Sequence, residues 1–476
     1  MNVLVYVVDC LRSDHVSCYG YGRETTPNID AVAADGVRYE RCFSPSTWTR
    51  PASVSLLTGT YPPTHGVRHR EDRFPSAFTR LPEPLSEAGF ETIGISTMGN
   101  VSTTLGYDIG FDEYYDLYKD EALIEKRRRD STAREKLLYE DREEIALPRA
   151  ADITEQFDSI HDRPEHDRFV FCWGIDLHMP LYPPEDGNEF LDPEYDGPFD
   201  GRFESLPDDP TDADRARLRD LYDNQLRYTD EQFGNVVETL KRDGVYDETL
   251  LLVLGDHGEA FGEHGFRFHG NRPYDELLHV PLIVKPPASD DGQTVVPDIV
   301  SLVDVFPTVL NVLGIDARAE YVQGEVLPPF GNATENDDRV CSETQLQAVK
   351  PAYYSVRTDR WKYIESRRPS PTRVLKWLYA HRDDLPNLRF ALSTMRDSLL
   401  AEFSETQDEL LYDLAADPDE QRNLADEHPE TTARLGQLLD DWLAECASLN
   451  NRMTDGTTVD IDAETAEQLK QLGYTE

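Results

Sequence analysis

The chain has 476 residues, which suits one large α/β domain plus a smaller one rather than a single small core. Its formal charge of -45, from 47 basic against 92 acidic residues spread along the chain, fits adaptation to high salt and excludes a basic stripe for nucleic acid. Hydrophobic residues make up 39%, and no run approaches ~18 uninterrupted apolar positions, so nothing reads as a membrane-spanning helix.

The first apolar run, Asn2-Val3-Leu4-Val5-Tyr6-Val7-Val8, reads as a buried strand. No basic region or cleavage site stands ahead of it, so it does not read as a leader, and the chain is expected in the cytoplasm. Tyr118 to Arg149 is dense in mixed charge and reads as a solvated helical insertion. Phe169 to Ile175 is a second strand. An amphipathic helix over Leu218 to Leu240 precedes a third, Leu250 to Gly255, and Val280 to Val284 is a fourth. This alternation predicts an α/β fold, with a mainly parallel sheet sandwiched by helices. The pattern shifts after about residue 335. Tyr353 to Ile364 reads as two short strands joined by a polar turn, and Glu430 to Leu449 as a helix. Residues 1–335 are therefore expected to form the main domain, and 336–476 a smaller α+β subdomain. Arg367 to Leu400 is locally basic and amphipathic, and serves as a lid, a membrane-surface contact, or a packed helical hairpin. The six cysteines (Cys10, Cys18, Cys42, Cys172, Cys341, Cys446) are scattered, form no close-spaced metal pattern, and read as reduced thiols.

Ligands on such sheets sit beyond the carboxyl ends of the strands. Asp9 and Asp256 each follow a strand, so both are placed to point into one crevice. A carboxylate there is costly unless it faces a cation or donors. In Asp256-His257-Gly258-Glu259 the glycine allows a sharp turn. Taken singly, each piece also has a plain reading, as a cap, a turn or a chance Asp-His-Gly.

The set gains meaning from a resemblance. Thr49-Arg50-Pro51-Ala52-Ser53-Val54-Ser55-Leu56-Leu57-Thr58-Gly59 resembles the sulfatase signature, a Cys or Ser followed by x-Pro-x-Arg and then Leu-Thr-Gly. Val7 to Asp14, Thr26-Pro27-Asn28-Ile29-Asp30, Gly59-Thr60-Tyr61-Pro62, His178-x-Pro180, Asp256 to Glu259 and Leu411-Tyr412-Asp413-Leu414 extend the likeness nearly end to end. The chain is identified as similar to the sulfatase family of the alkaline phosphatase superfamily. That resemblance implies Asp9, Asp256 and His257 as ligands of one divalent metal ion. Calcium, magnesium or manganese suits these hard O and N donors better than zinc. Thr49 then resembles the threonine nucleophile of lipoteichoic acid synthases and phosphoethanolamine transferases, with the ion lowering its hydroxyl pKa. His178 is similar to the family histidine that contacts the leaving group or transferred oxyanion. His269 lies near a basic position and is placed to protonate the leaving oxygen.

There are departures. Thr49 stands where sulfatases carry the formylglycine precursor, and Ser53 where they carry arginine. Cys10 replaces a second aspartate ligand and is either a softer ligand or a neutral filler. The usual Gly-Lys-Trp-His stretch is absent, and Thr97-Met98-Gly99-Asn100 falls near its place. Asn100 becomes a candidate donor to substrate, and Arg50 either a compensating charge or a solvent-facing side chain. Glu259 and His264 are candidates to orient His257 or the nucleophile loop, or else cap a helix or turn. His15 and His279 read as structural. The expected activity is metal-dependent hydrolysis of a small anionic sulfate or phosphate ester through Thr49. Phosphate mono- or diesters are favoured, because sulfate hydrolysis draws on the formylglycine hydrate. A phosphoryl transferase acting on lipid or glycan, and a non-catalytic binding protein, are the alternatives. Oligomeric state is not encoded legibly.

Overall fold

A computed structural model describes residues 2–70, 72–130, 147–161, 167–184, 189–287, 293–316, 320–331, 339–347, 350–369 and 409–453. Its strands are β1 (Asn2–Val8), β2 (Val37–Phe43), β3 (Glu91–Ser96), β4 (Glu113–Asp116), β5 (Arg168–Gly174), β6 (Thr249–Gly255) and the short pair β7 (Ala260–Phe261) and β8 (Arg267–Phe268). They continue with β9 (His279–Lys285), β10 (Thr294–Ser301), β11 (Arg339–Thr344), β12 (Ala352–Thr358), β13 (Trp361–Arg367) and β14 (Glu409–Asp413). The main sheet runs β10-β2-β9-β6-β1-β5-β3-β4.

β1 is apolar throughout because it is buried on both faces. Val3, Val5 and Val7 point into one core with Val54, Leu56 and Leu57 of the helix Thr49–Thr58. Leu4, Tyr6 and Val8 point into the other, against Ile153, Phe157 and Ile160 of the helix Ala150–His161 and Leu221, Tyr222 and Phe233 of the helix Asp212–Arg242. This is the helix-sheet-helix sandwich that the alternation predicts. The long helix starts at a reciprocal cap, in which Thr211 Oγ1 accepts from the Asp214 amide and Asp214 Oδ2 accepts from the Thr211 amide.

The sheet is parallel except around β9, which pairs antiparallel with both β2 and β6. Residues 256–278 loop over the edge where β6 ends, so the chain enters β9 from that edge and runs back. A parallel strand would need a crossover to the opposite edge first.

The second sheet, β11-β12-β13-β14, is antiparallel. The helix Pro429–Met453 covers it, with Leu435, Leu439, Trp442 and Cys446 packed on Val356, Tyr363 and Leu411. Several contacts join it to the main sheet, among them two that bear on the crevice. Glu343 of β11 bridges Ser46 ahead of the Thr49 helix. Lys362 of β13 lies buried between Asp275 Oδ1 at 2.7 Å and Glu420 Oε1 at 2.8 Å.

Of the expected charged insertion, the described part forms the helix Glu121–Asp130, and residues 131–146 lie outside the described residues. So do residues 370–400 of the amphipathic stretch and the chain end 454–476. Among the described residues, no helix is long and apolar enough to cross a membrane.

Candidate active site

β1 and β6 end in register, with Val8 opposite Gly255, so Asp9 and Asp256 leave the sheet edge side by side. The turn after β1 is sharp. Cys10 takes φ 61°, a left-handed conformation rare for a residue with a Cβ. Tyr222 of the long helix fixes that turn, its hydroxyl donating to the Cys10 carbonyl at 2.7 Å and accepting from the Arg12 amide at 3.0 Å. The Cys10 amide in turn donates to Asp256 Oδ1 at 3.1 Å. Gly258 is required after His257, because a Cβ there would lie 2.0 Å from the Glu276 carbonyl oxygen.

Thr49 opens the helix Thr49–Thr58 and is wholly buried. Its hydroxyl lies 3.3 Å from Asp9 Oδ2 and 3.2 Å from His257 Nε2. The helix dipole at this end favours negative charge on that oxygen. Trp173 at the end of β5 donates its indole N–H to Asp9 Oδ2 at 3.0 Å. His257 donates Nδ1–H to the Gly258 carbonyl at 2.8 Å, which leaves the Nε2 lone pair facing inward. That lone pair meets Asp256 Oδ2 at 3.2 Å and Asp9 Oδ1 at 4.0 Å. Asp256 Oδ2 is buried and has no hydrogen-bond donor. Burial, reinforced by Asp9, pushes the Asp256 carboxyl up, and burial with the nearby His269 pushes His257 down. Ligand atoms of Asp9, Asp256 and His257 lie within 4.8 Å of one another, with no cationic side chain among them. The donor set fits one divalent cation.

His178 and His269 complete the crevice. Their ring centroids are 4.7 Å apart, and His269 is equally close to His257. His178 donates Nδ1–H to the Met179 carbonyl at 2.5 Å, so its Nε2 is an acceptor in the neutral ring. Burial, with His269 adding, lowers its pKa. Burial holds His269 at about 4 although Asp9 pulls upward. His269 Nδ1 sits 3.2 and 3.3 Å from the two oxygens of Glu259, whose carboxyl burial pushes up to about 8.

A family profile described as Sulfatase matches residues 1–315. The chain belongs to the sulfatase family. It resembles the ulvan-active sulfatase of Formosa agariphila at 27% identity over 481 residues, covering 93% of this chain and 74% of that protein. Choline-sulfatase of Rhizobium meliloti is 24% identical over 404 residues, covering 76% of this chain and 78% of the relative. The crystal structure of the phosphonate monoester hydrolase of Agrobacterium radiobacter shares the fold, with a TM-score of 0.70, 20% identity, and coverage of 94% of this chain and 96% of that one. The chain is thus a sulfatase-family ester hydrolase.

Within this sulfatase-family chain, the departures from the signature acquire structural partners. Ser53, in the arginine position, is buried with its hydroxyl 2.6 Å from that of Tyr107. Arg50 is not solvent-facing. It is 1% exposed, and Nη2 donates to Asn100 Oδ1 at 2.7 Å while Nη1 donates to the backbone carbonyls of Arg70 and Asp72. The guanidinium thereby fixes the Asn100 amide, whose Nδ2 is buried with no hydrogen-bond partner. Glu259 lies against His269 rather than His257, and His264 stacks on Tyr274 at 3.7 Å, so neither plays the expected orienting part on His257. His15 pairs with Asp223 at 2.6 Å and His279 donates to the Glu40 carbonyl, as structural residues do. Sequence reasoning passed over Trp173, Tyr222 and Arg70, whose charge reaches His269. Only the apolar context of Trp173 and Tyr222 was legible, and that marks packing rather than chemistry.

Proposed function

We propose that this hydrolase cleaves small anionic phosphate mono- or diesters, and sulfate esters less readily, through Thr49. The observation that carries the reading is the buried Thr49 hydroxyl, held within hydrogen-bond reach of both Asp9 and His257. A divalent ion bound by Asp9, Asp256 and His257 would supply Lewis acidity and charge neutralisation at this point. Asp9 Oδ2 accepts the hydroxyl hydrogen bond and orients the oxygen toward an incoming phosphorus. As the Thr49 oxygen bonds to phosphorus, its proton passes to Asp9 Oδ2 and the bond to the leaving alkoxide breaks. His269 delivers its Nε2 proton to that alkoxide, and the Glu259 carboxyl returns one to Nδ1. Asn100 offers its Nδ2 hydrogens to a non-bridging oxygen, with Arg50 fixing the amide. His178, an acceptor at Nε2, takes a proton from the water that then cleaves the phosphothreonine ester, and Asp9 Oδ2 returns its proton to the departing Thr49 oxygen. Residues 1–335 carry this chemistry, and the described residues of 336–476 brace it.

Phosphate is favoured because an unmodified threonine ester has no aldehyde hydrate through which to expel sulfate. The test is turnover of bis-p-nitrophenyl phosphate, p-nitrophenyl phosphate and p-nitrophenyl sulfate in high salt with calcium, magnesium or manganese. Phosphate esters should turn over faster, and Thr49→Ala should abolish turnover while retaining the ion. Undiminished activity in Thr49→Ala would overturn the nucleophile assignment, and faster sulfate turnover would overturn the substrate class.

A further inference from the structure

We propose that Cys10 is a metal ligand, and that Cys10, His257 and His269 form a second, softer pole of the centre that captures a zinc-class ion. This deepens the reading of Asp9, Asp256 and His257 as an ion site and does not require Thr49 to be the nucleophile.

Cys10 is completely buried, yet its sulfur faces polar groups. Sγ lies 3.0 Å from Asp9 Oδ1 and 3.7 Å from His269 Nδ1. Ligand atoms of Cys10, His257 and His269 all lie within 4.8 Å of one another. With zinc bonds of about 2.3 Å to sulfur and about 2.05 Å to nitrogen, two ligands at a tetrahedral angle sit about 3.6 Å apart. The observed sulfur-to-nitrogen separation fits that edge.

The backbone adds a second argument. At φ 61° the turn favours glycine or asparagine, so nothing about the conformation selects cysteine. The turn is nevertheless held in this shape by Tyr222 and Asp256, which keeps the Cβ directed into the crevice. A space-filling role would not require a thiol among two imidazoles and a carboxylate.

Both poles use His257, so one ion occupies one or the other. Hard ions sit with the carboxylates, whereas softer ions gain from thiolate and imidazole. Binding at the soft pole displaces the thiol proton to solvent. It also occupies His269 Nδ1, which cuts that ring off from the Glu259 carboxyl that returns its proton. Zinc and cadmium should therefore bind and silence the enzyme, while manganese and magnesium support it.

Cobalt titrated into the metal-free protein without oxygen should give an intense near-ultraviolet thiolate-to-cobalt charge-transfer band at one equivalent. Cys10→Ser should abolish that band and weaken zinc affinity by about tenfold or more, with manganese affinity unchanged by calorimetry. Thr49→Ala should keep the band, which separates this proposal from the nucleophile assignment. Should Cys10→Ser not fold, cadmium NMR on the unaltered protein reads the same point, since a sulfur ligand moves the resonance strongly downfield. No charge-transfer band, a band that survives Cys10→Ser, or a cadmium shift typical of oxygen and nitrogen ligands alone would each overturn the proposal.

Discussion

Asn100 and Arg50 work as a pair, and neither is interpretable alone. The guanidinium occupies the amide oxygen, so the amide can face a ligand only with its hydrogens. Asn100→Ala should lower kcat by about 10²-fold, the usual loss for one oxyanion donor, with manganese affinity unchanged. Unchanged kcat would place Asn100 outside the transition state. Arg50→Met should act through stability as well as through the Asn100 amide. It strips donors from two backbone carbonyls and Asn100, at about 1–3 kcal/mol for each acceptor left buried, measured by urea denaturation. Asp9, Asp256 and His257 were legible because each sits directly after an apolar strand, where a charged or imidazole side chain stands out. Arg50 was not. A lone arginine reads as solvated, and only the fold brings the 70–72 backbone over it. Cys10 was half legible: its place in the motif was plain, but its orientation comes from a dihedral angle that sequence does not print.

The turn joining β1 to the crevice depends on the helix Asp212–Arg242 through a single phenol. Tyr222→Phe deletes a donor to the Cys10 carbonyl and an acceptor for the Arg12 amide, both buried. It should cost about 2–3 kcal/mol by denaturant unfolding and weaken manganese binding, because Asp9 loses its registration. An unchanged metal affinity would show that the turn holds its shape without the helix. The strands buried on both faces were readable as unbroken apolar runs. β2 was not, since Arg38, Glu40 and Arg41 interrupt it, nor were the shorter β3 and β4, which open on Glu91 and Glu113. The direction of β9 was also hidden, because it follows from where the loop 256–278 delivers the chain, not from the residues of the strand.

The charge of -45 acts on the entire molecule. Raising salt from about 0.1 M to about 2 M shrinks the Debye length well below the spacing of surface carboxylates, so the urea midpoint should rise steeply. A flat response would mean the acidic surface is not self-repelling. One buried carboxyl behaves differently. Burial holds Asp176 up at about 6 against an ordinary 3.8, although Arg149 opposes the shift. Because its folded pKa is raised, its contribution is complete below about 4 and is lost as pH rises through about 6. Asp176→Asn, which imitates the protonated form, should gain stability relative to the parent across that window, by about 3 kcal/mol at most. A difference that does not vary with pH would show that the carboxyl titrates normally. The ammonium of Lys362, finally, is the shared counter-charge for two buried acids, one on the approach to β9 and one beyond β14. Cutting the molecule between its two sheets would strand Asp275 without that neutralising partner, on the same loop that presents His257 and His269 to the ion. The far sheet is thus a fastener for the crevice, and a shortened enzyme that kept every reactive group would still lose their alignment.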